Sequence, residues 1–272
     1  MLGGASWRIS QGRRWIAHLS SGFVWPLTTK LYQFPHSHFS EKARWALDHK
    51  RVAFTRVNLI RGLHVLTTRR LAAGTSVPIL AHEGRIIQDS TAILSYLDDR
   101  FPERSLVANS ESIRRQALEV EEYLDEDLGF HLRRFLYATL LAHRRQVTAF
   151  FLQGRSWAWQ PLFAAMFPLL RAQMQRQMQL TPANAAASER RLLGALDFLD
   201  GAVARGRFLV GDSFTRADLS AAALLSLLTW PEKHDFRWPA PEELAPPLAG
   251  FRRAVAGRPC FAWALGLYRD YR

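Results

Sequence analysis

The chain has 272 residues, 48% of them apolar, with 36 Lys and Arg against 24 Asp and Glu. That length suits one large or two ordinary domains, and the apolar share fills their cores, which excludes a disordered tail protein. The net charge of +12 divides as +3 over residues 1–27, +5 over 28–108 and +4 over 109–272, so it forms no dense stripe of the kind nucleic-acid binding wants. Spread basicity of this sort points to anions in general. One cysteine, Cys260, excludes an internal disulfide, a thiolate zinc site and a C-x-x-C redox pair, and a reducing, cytoplasmic setting follows. The best apolar stretch, Trp157 to Leu170, is interrupted by Pro161 and Pro168 and falls short of the roughly 18 residues of a membrane span, so a soluble protein is expected.

Before the first acid, Glu41, stand Arg8, Arg13, Arg14 and Lys30 among several serines. This pattern resembles a transit peptide but reads more readily as an N-terminal extension or an over-early start, and residues 1–27 are set apart from the fold. From Thr28 the order is clear. Lys30 to Phe34 alternates as a strand, Pro35-His36-Ser37 punctuates it, and Phe39 to His49 follows as a helix with Ala43, Ala46 and Leu47 inward and Glu41, Lys42 and Arg44 outward. Val52 to Val57 reads as a second strand, and a strand, helix and strand in about thirty residues most often make a right-handed parallel unit. Val77 to Leu80 and Arg85 to Ile87 form a hairpin turning at Glu83-Gly84, and Asp89 or Ser90 caps a helix that runs to about Asp99.

After Pro102 the strand signals stop. Helical periods occupy residues 111–153, then 157–180 with proline interruptions, then 188–204 with Leu192, Leu193, Leu196 and Leu199 on one stripe, while Thr181 to Ala187 reads as a turn or loop. Thr215 followed by Asp218 is a capping box opening a buried helix to Leu228, with Phe214 and Leu219 in the staple positions. An α/β domain over residues 28–102 followed by an all-helical domain over 110–272 is the expected α+β two-domain architecture.

The residues now carry a resemblance. Phe34-Pro35-His36-Ser37 leading into a helix with Ala43-Arg44, then Val77-Pro78, Asp89-Ser90 and the Thr215 box, in that order and spacing, resemble a cytosolic glutathione transferase of the serine type. The resemblance covers residues 28–100 and 188–228. It implies a thioredoxin-like domain, glutathione as co-substrate without a metal, a homodimer, and a small hydrophobic electrophile as second substrate. It also implies site residues: Ser37 against the thiol, Val77 and a cis Pro78 pairing with the tripeptide backbone, Asp89 and Ser90 at the γ-glutamyl end, and His64 with Arg61 at the glycine carboxylate. Gly74-Thr75-Ser76 departs from the family's usual Pro-aromatic-Gly run there.

A thiol with a pKa near 8.5 is only a few per cent thiolate at neutral pH, so a helix N-terminus and a hydroxyl donor favour the reactive anion. Ser37 is equally readable as an ordinary N-cap, with Ser40 and Tyr32 as rivals for the catalytic role. Ser37 and Ser40 stand where redox relatives carry cysteines, so disulfide exchange is disfavoured and conjugation, isomerisation or dehalogenation remain. Tyr123, Phe130, Arg133, Arg134 and Tyr137 fit the second-substrate wall, which suits an apolar electrophile with an anionic handle, although aromatics at helical spacing are more often core. The acids from Glu119 to Asp127 point around a helix and are expected to pair with Arg114, Arg115, Arg133 and Arg134 rather than bind a metal. Trp157 and Trp159 are read as helix packing. A binding or scaffold protein that kept this fold without activity is the alternative from another class.

Overall fold

The structure is a computed structural model that describes residues 29–107 and 110–272, and the leader expected over 1–27 lies outside the described residues. The first unit runs β1 (Lys30–Gln33), α1 (His38–His49), β2 (Thr55–Asn58), α2 (His64–Leu71), β3 (Ile79–His82), β4 (Arg85–Gln88) and α3 (Ser90–Arg100). Its sheet is ordered β2-β1-β3-β4, with β1 parallel to β2 and antiparallel to β3. Leu31 of β1 sits opposite Leu80 of β3, and both are fully buried, so the apolar positions fix this register. Glu83 and Gly84, both at positive φ, turn β3 into β4, the left-handed pair that a two-residue hairpin requires.

Helices make up the rest: α4 (Glu111–Tyr123), a π-helical turn (Leu124–Phe130), α5 (His131–Leu140), α6 (Arg144–Phe151), α7 (Trp159–Gln177), α8 (Pro182–Val203), α9 (Arg216–Thr229), α10 (Pro246–Val255) and α11 (Pro259–Tyr271). A four-stranded mixed sheet with helices, followed by an all-helical unit, is the thioredoxin-like plus helical arrangement that the resemblance implies. Buried along nearly its whole length, α9 is apolar all round and lies against α1, α4 and α11. At its start Asp218 accepts from the Thr215 amide (2.8 Å), the Thr215 hydroxyl (3.0 Å) and the Leu209 amide (2.7 Å), fixing the preceding loop as well as the helix end. No helix among the described residues is long and apolar enough to cross a membrane.

Four local expectations are corrected. The second strand starts at Thr55 rather than Val52, because the Val52 amide is already bonded to Leu47 O in the turn that ends α1. Thr181 to Ala187 is not a loop: Thr181 Oγ1 caps the Asn184 amide at 3.1 Å, Pro182 takes the first helical position, where no N–H is needed, and the alanines continue α8. In α7 the prolines do not end the helix, since Pro161 falls in the first turn and the chain runs on through Pro168. Glu41, Lys42 and Arg44 are not outward: all three are fully buried, since the helical unit covers that face of α1 and supplies their charge partners.

Candidate active site

The turn from β1 into α1 is held by Arg44. Its guanidinium donates to Glu41 (2.7 Å), to Gln33 Oε1 (2.8 Å) and to Pro35 O (3.0 Å), tying helix, strand end and loop together. Glu41 is held at about 2: burial opposes ionisation, but Arg44, His234 and Arg272 outweigh it. On this base Ser37 becomes the N-cap of α1, its amide donating to Phe34 O (3.0 Å) and its Oγ accepting from the Ser40 amide (3.3 Å).

Ser37 lines a cavity of about 1020 Å³ between the sheet unit and the helices. The cavity brings together Ser37, His64 and Val77 of the expected site, with Arg61, Arg133 and Tyr137. The Val77–Pro78 bond is cis, and the β3 ladder begins only at Ile79, so the Val77 main chain lies outside the sheet pairing and beside the cavity. Pro78, Asp89 and Ser90 do not line it. They adjoin it instead, the Asp89 amide reaching Pro78 O at 3.2 Å while Asp89 Oδ1 caps the Thr91 and Ala92 amides at 2.9 and 3.1 Å. Ser90 is buried at the first turn of α3. The rivals are elsewhere: Ser40 and Tyr32 are buried and do not face the cavity.

Three histidines on the wall are neutral at pH 7. Burial and Arg61 push His36 well down. Burial and Arg133 take His38 to about 3, its Nε2 lying 3.0 Å from Gly129 O, and burial and Arg61 take His64 to about 4, its Nδ1 accepting from the Gly62 amide (3.1 Å).

Of the five side chains expected on the second-substrate wall, only Arg133 and Tyr137 reach the cavity. Tyr123 packs on Phe198, and Arg134 lies over Phe130 and donates to Met178 O. The opposite wall was not anticipated: it comes from the end of α9, the loop after it and α10, where Trp230, Phe236, Trp238 and Arg252 line the cavity. The twin Trp-Pro steps at 230–231 and 238–239 are the signal that marks this loop. The acid cluster pairs differently too. Glu121 is bound by Lys42 (2.9 Å) and Arg216, Asp125 by Lys42 (2.6 Å) and Asp127 by Arg191 (2.6 Å), because α1, α8 and α9 are nearer than the arginines of their own helices. Trp157 is 79% exposed, so it is not helix packing. Cys260 is buried on α11, its thiol pushed up by burial and Asp200.

A cavity at the first helix of a thioredoxin-like unit, closed by an all-helical one, defines a two-domain transferase fold. The chain belongs to the glutathione S-transferase family: the model of the family's N-terminal domain matches residues 31–105 and that of its C-terminal domain residues 159–259. No curated protein matches its sequence significantly. Among solved structures it is similar to a glutathione S-transferase from Rhodospirillum rubrum F11 (21% identity, 88% of this chain and 92% of that one, TM-score 0.56). It is also similar to the β-etherase LigF from Sphingobium sp. strain SYK-6 (21%, 88% and 99%, 0.59) and to a Ceriporiopsis subvermispora glutathione S-transferase solved with glutathione (13%, 90% and 98%, 0.62).

Proposed function

We propose that the cavity binds glutathione, that the Ser37 hydroxyl stabilises its thiolate, and that the thiolate attacks a hydrophobic electrophile. One observation carries this reading: Ser37 lines the cavity and its Oγ serves α1 only as an acceptor, so its proton is available to a sulfur held above the helix N-terminus. The Val77 main chain offers an extended peptide a strand edge, as in β-augmentation. Beyond Pro78, Asp89 meets the ammonium of the γ-glutamyl end and Ser90, at the start of α3, its carboxylate, while Arg61 with His64 meets the glycine carboxylate. Neutral His64 acts there as an N–H donor through Nε2, since its Nδ1 is already an acceptor. Disulfide exchange has no nucleophile of its own in the cavity, because the sole cysteine is buried on α11.

The test is retention on immobilised glutathione together with conjugation of 1-chloro-2,4-dinitrobenzene. Retention and a rate above the uncatalysed reaction are expected. Retention without any rate points instead to a glutathione-binding protein that has no transferase activity, and loss of both overturns the assignment.

A further inference from the structure

The cavity wall carries far more positive charge than one tripeptide neutralises. Arg61, Arg133, Arg145, Arg237 and Arg252 line it against a single carboxylate, Glu243, while His36, His38 and His64 are neutral. None of the five arginines takes part in an ion pair among the described residues. Three of them lie against aromatic rings, and Arg252 also donates to Leu228 O at 3.1 Å. Arg61 lies 4.6 Å from the Phe34 ring centre and 5.3 Å from that of Tyr137, Arg133 lies 5.6 Å from both Phe39 and Phe130, and Arg252 lies 3.7 Å from Trp230. Aromatic faces fix guanidinium planes and leave N–H edges for oxygen acceptors.

Arg133 is the most exposed to this imbalance. Burial lowers its pKa and the like charges of Arg61 and Arg134 add to the effect, yet a guanidinium stays protonated in proteins. Its Nε is buried without a partner, as are Arg61 Nε and His36 Nε2 in the same wall. A half-buried guanidinium with no anion beside it and a desolvated Nε is poorly compensated, so the site favours a ligand that returns the charge. Glutathione as its thiolate carries about two net negative charges, counted from ordinary ionisation constants, which leaves the wall still positive.

We infer that the second substrate is an anion: an apolar electrophile bearing a carboxylate, gripped through its acid group by Arg133, with its apolar body against Leu136, Phe150 and Trp238. This rests on the glutathione-transfer reading above. In the step concerned, the thiolate sulfur forms a C–S bond at an activated ring carbon and chloride leaves with the C–Cl electron pair. No proton or redox partner is needed.

The test uses a matched pair, 4-chloro-3-nitrobenzoate and 4-chloro-3-nitrobenzamide, with 3-nitrobenzoate and 3-nitrobenzamide as unreactive ligands. Binding of the unreactive pair is followed by tryptophan fluorescence, which Trp230 and Trp238 supply from the wall, with and without saturating S-methylglutathione. The carboxylate is expected to bind about 10-fold or more tighter than the amide in both conditions. Arg133→Gln is expected to reduce that preference about 10-fold, and Arg133→Lys to restore part of it. The kcat/KM of the chloro pair, each divided by its uncatalysed rate, is expected to follow the same order. Equal binding of acid and amide overturns the inference, as does a preference that vanishes once S-methylglutathione is bound, since the charge then belongs to the tripeptide. Failure of S-methylglutathione to bind at all overturns the glutathione reading instead, while the benzoate titration still decides the anion preference. If Arg133→Gln does not fold, the preference of the parent protein and its decline between 0.05 and 0.5 M salt decide the matter.

Discussion

Lys42 lies fully buried on α1 and joins the two domains through Glu121 (2.9 Å) and Asp125 (2.6 Å), also reaching Thr91 of its own domain (3.5 Å), while Arg216 holds the other oxygen of Glu121 and donates to Thr91 O (3.2 Å). Two cations meet two carboxylates, so the cluster is neutral. Lys42→Met keeps the length of the side chain and removes one charge, leaving a net negative charge around Glu121, which is 1% exposed. An exposed pair is worth about 0.2–1 kcal/mol, but removing one partner of a buried pair costs about 3–5 kcal/mol, because the remaining ion stays desolvated. At about 2–4 °C per kcal/mol for a chain of this size, the melting temperature should fall by roughly 6–20 °C. Urea unfolding at pH 7 measures the loss directly. Burial already raises the pKa of Asp125 against the pull of Lys42, so without Lys42 it takes up a proton more readily and the loss should shrink between pH 7 and pH 5. Adding Asp125→Asn restores neutrality and should recover part of the loss, a coupling of about 0.5–3 kcal/mol. A single variant costing less than about 1 kcal/mol, or a loss independent of pH, refutes the view that this cluster ties the domains together.

Two further predictions concern the base of the site. Glu41 is fully buried and its pKa is lowered from 4.5 to about 2, so its stabilising contribution is complete above pH 4.5 and declines as pH falls towards 2. Glu41→Gln should cost about 3 kcal/mol at pH 7 and less than half of that at pH 3, measured by urea unfolding, and a constant cost across that range contradicts the assignment. At Gly129 an added Cβ would lie 2.8 Å from Phe39 Cζ and 2.9 Å from Leu224 Cδ2. Gly129→Ala should therefore lower stability by about 1 kcal/mol, because overpacking of about 1–3 kcal/mol exceeds the roughly 1 kcal/mol that alanine gains in a helix, and a stabilised variant shows the reverse.

Much of the framework was legible because its signals are local. The Asp89 cap, the Glu83-Gly84 turn and the Thr215–Asp218 box each lie within a few residues, and spacing alone marks them. Thr181 to Ala187 was misread for a local reason as well, since proline looks like a breaker until it occupies the first helical position. The site itself was half legible. Ser37, His64 and Val77 share a segment order with the family and meet at one cavity. Arg61 and Arg133, by contrast, are 72 positions apart, and nothing in either neighbourhood shows that both guanidiniums face one space. The same holds for Lys42 and Glu121, where helical periodicity assigned Lys42 to solvent because it cannot see a second domain covering that face. Trp230 to Arg252 escaped because its inward turn depends on α9 ending at the cavity.

The central claim, that the Ser37 hydroxyl stabilises a bound thiolate, is tested most directly by the pH dependence of kcat/KM for glutathione conjugation in the parent and in Ser37→Ala. The rate should rise with pH as the bound thiol ionises, with its inflection below the ordinary thiol value near 8.5. A hydrogen bond to a charged group contributes about 1.5–3 kcal/mol, so its loss should move the inflection up by about 1–2 pH units. An inflection that stays in place while the variant keeps its rate contradicts the claim and leaves Ser37 as a helix cap alone.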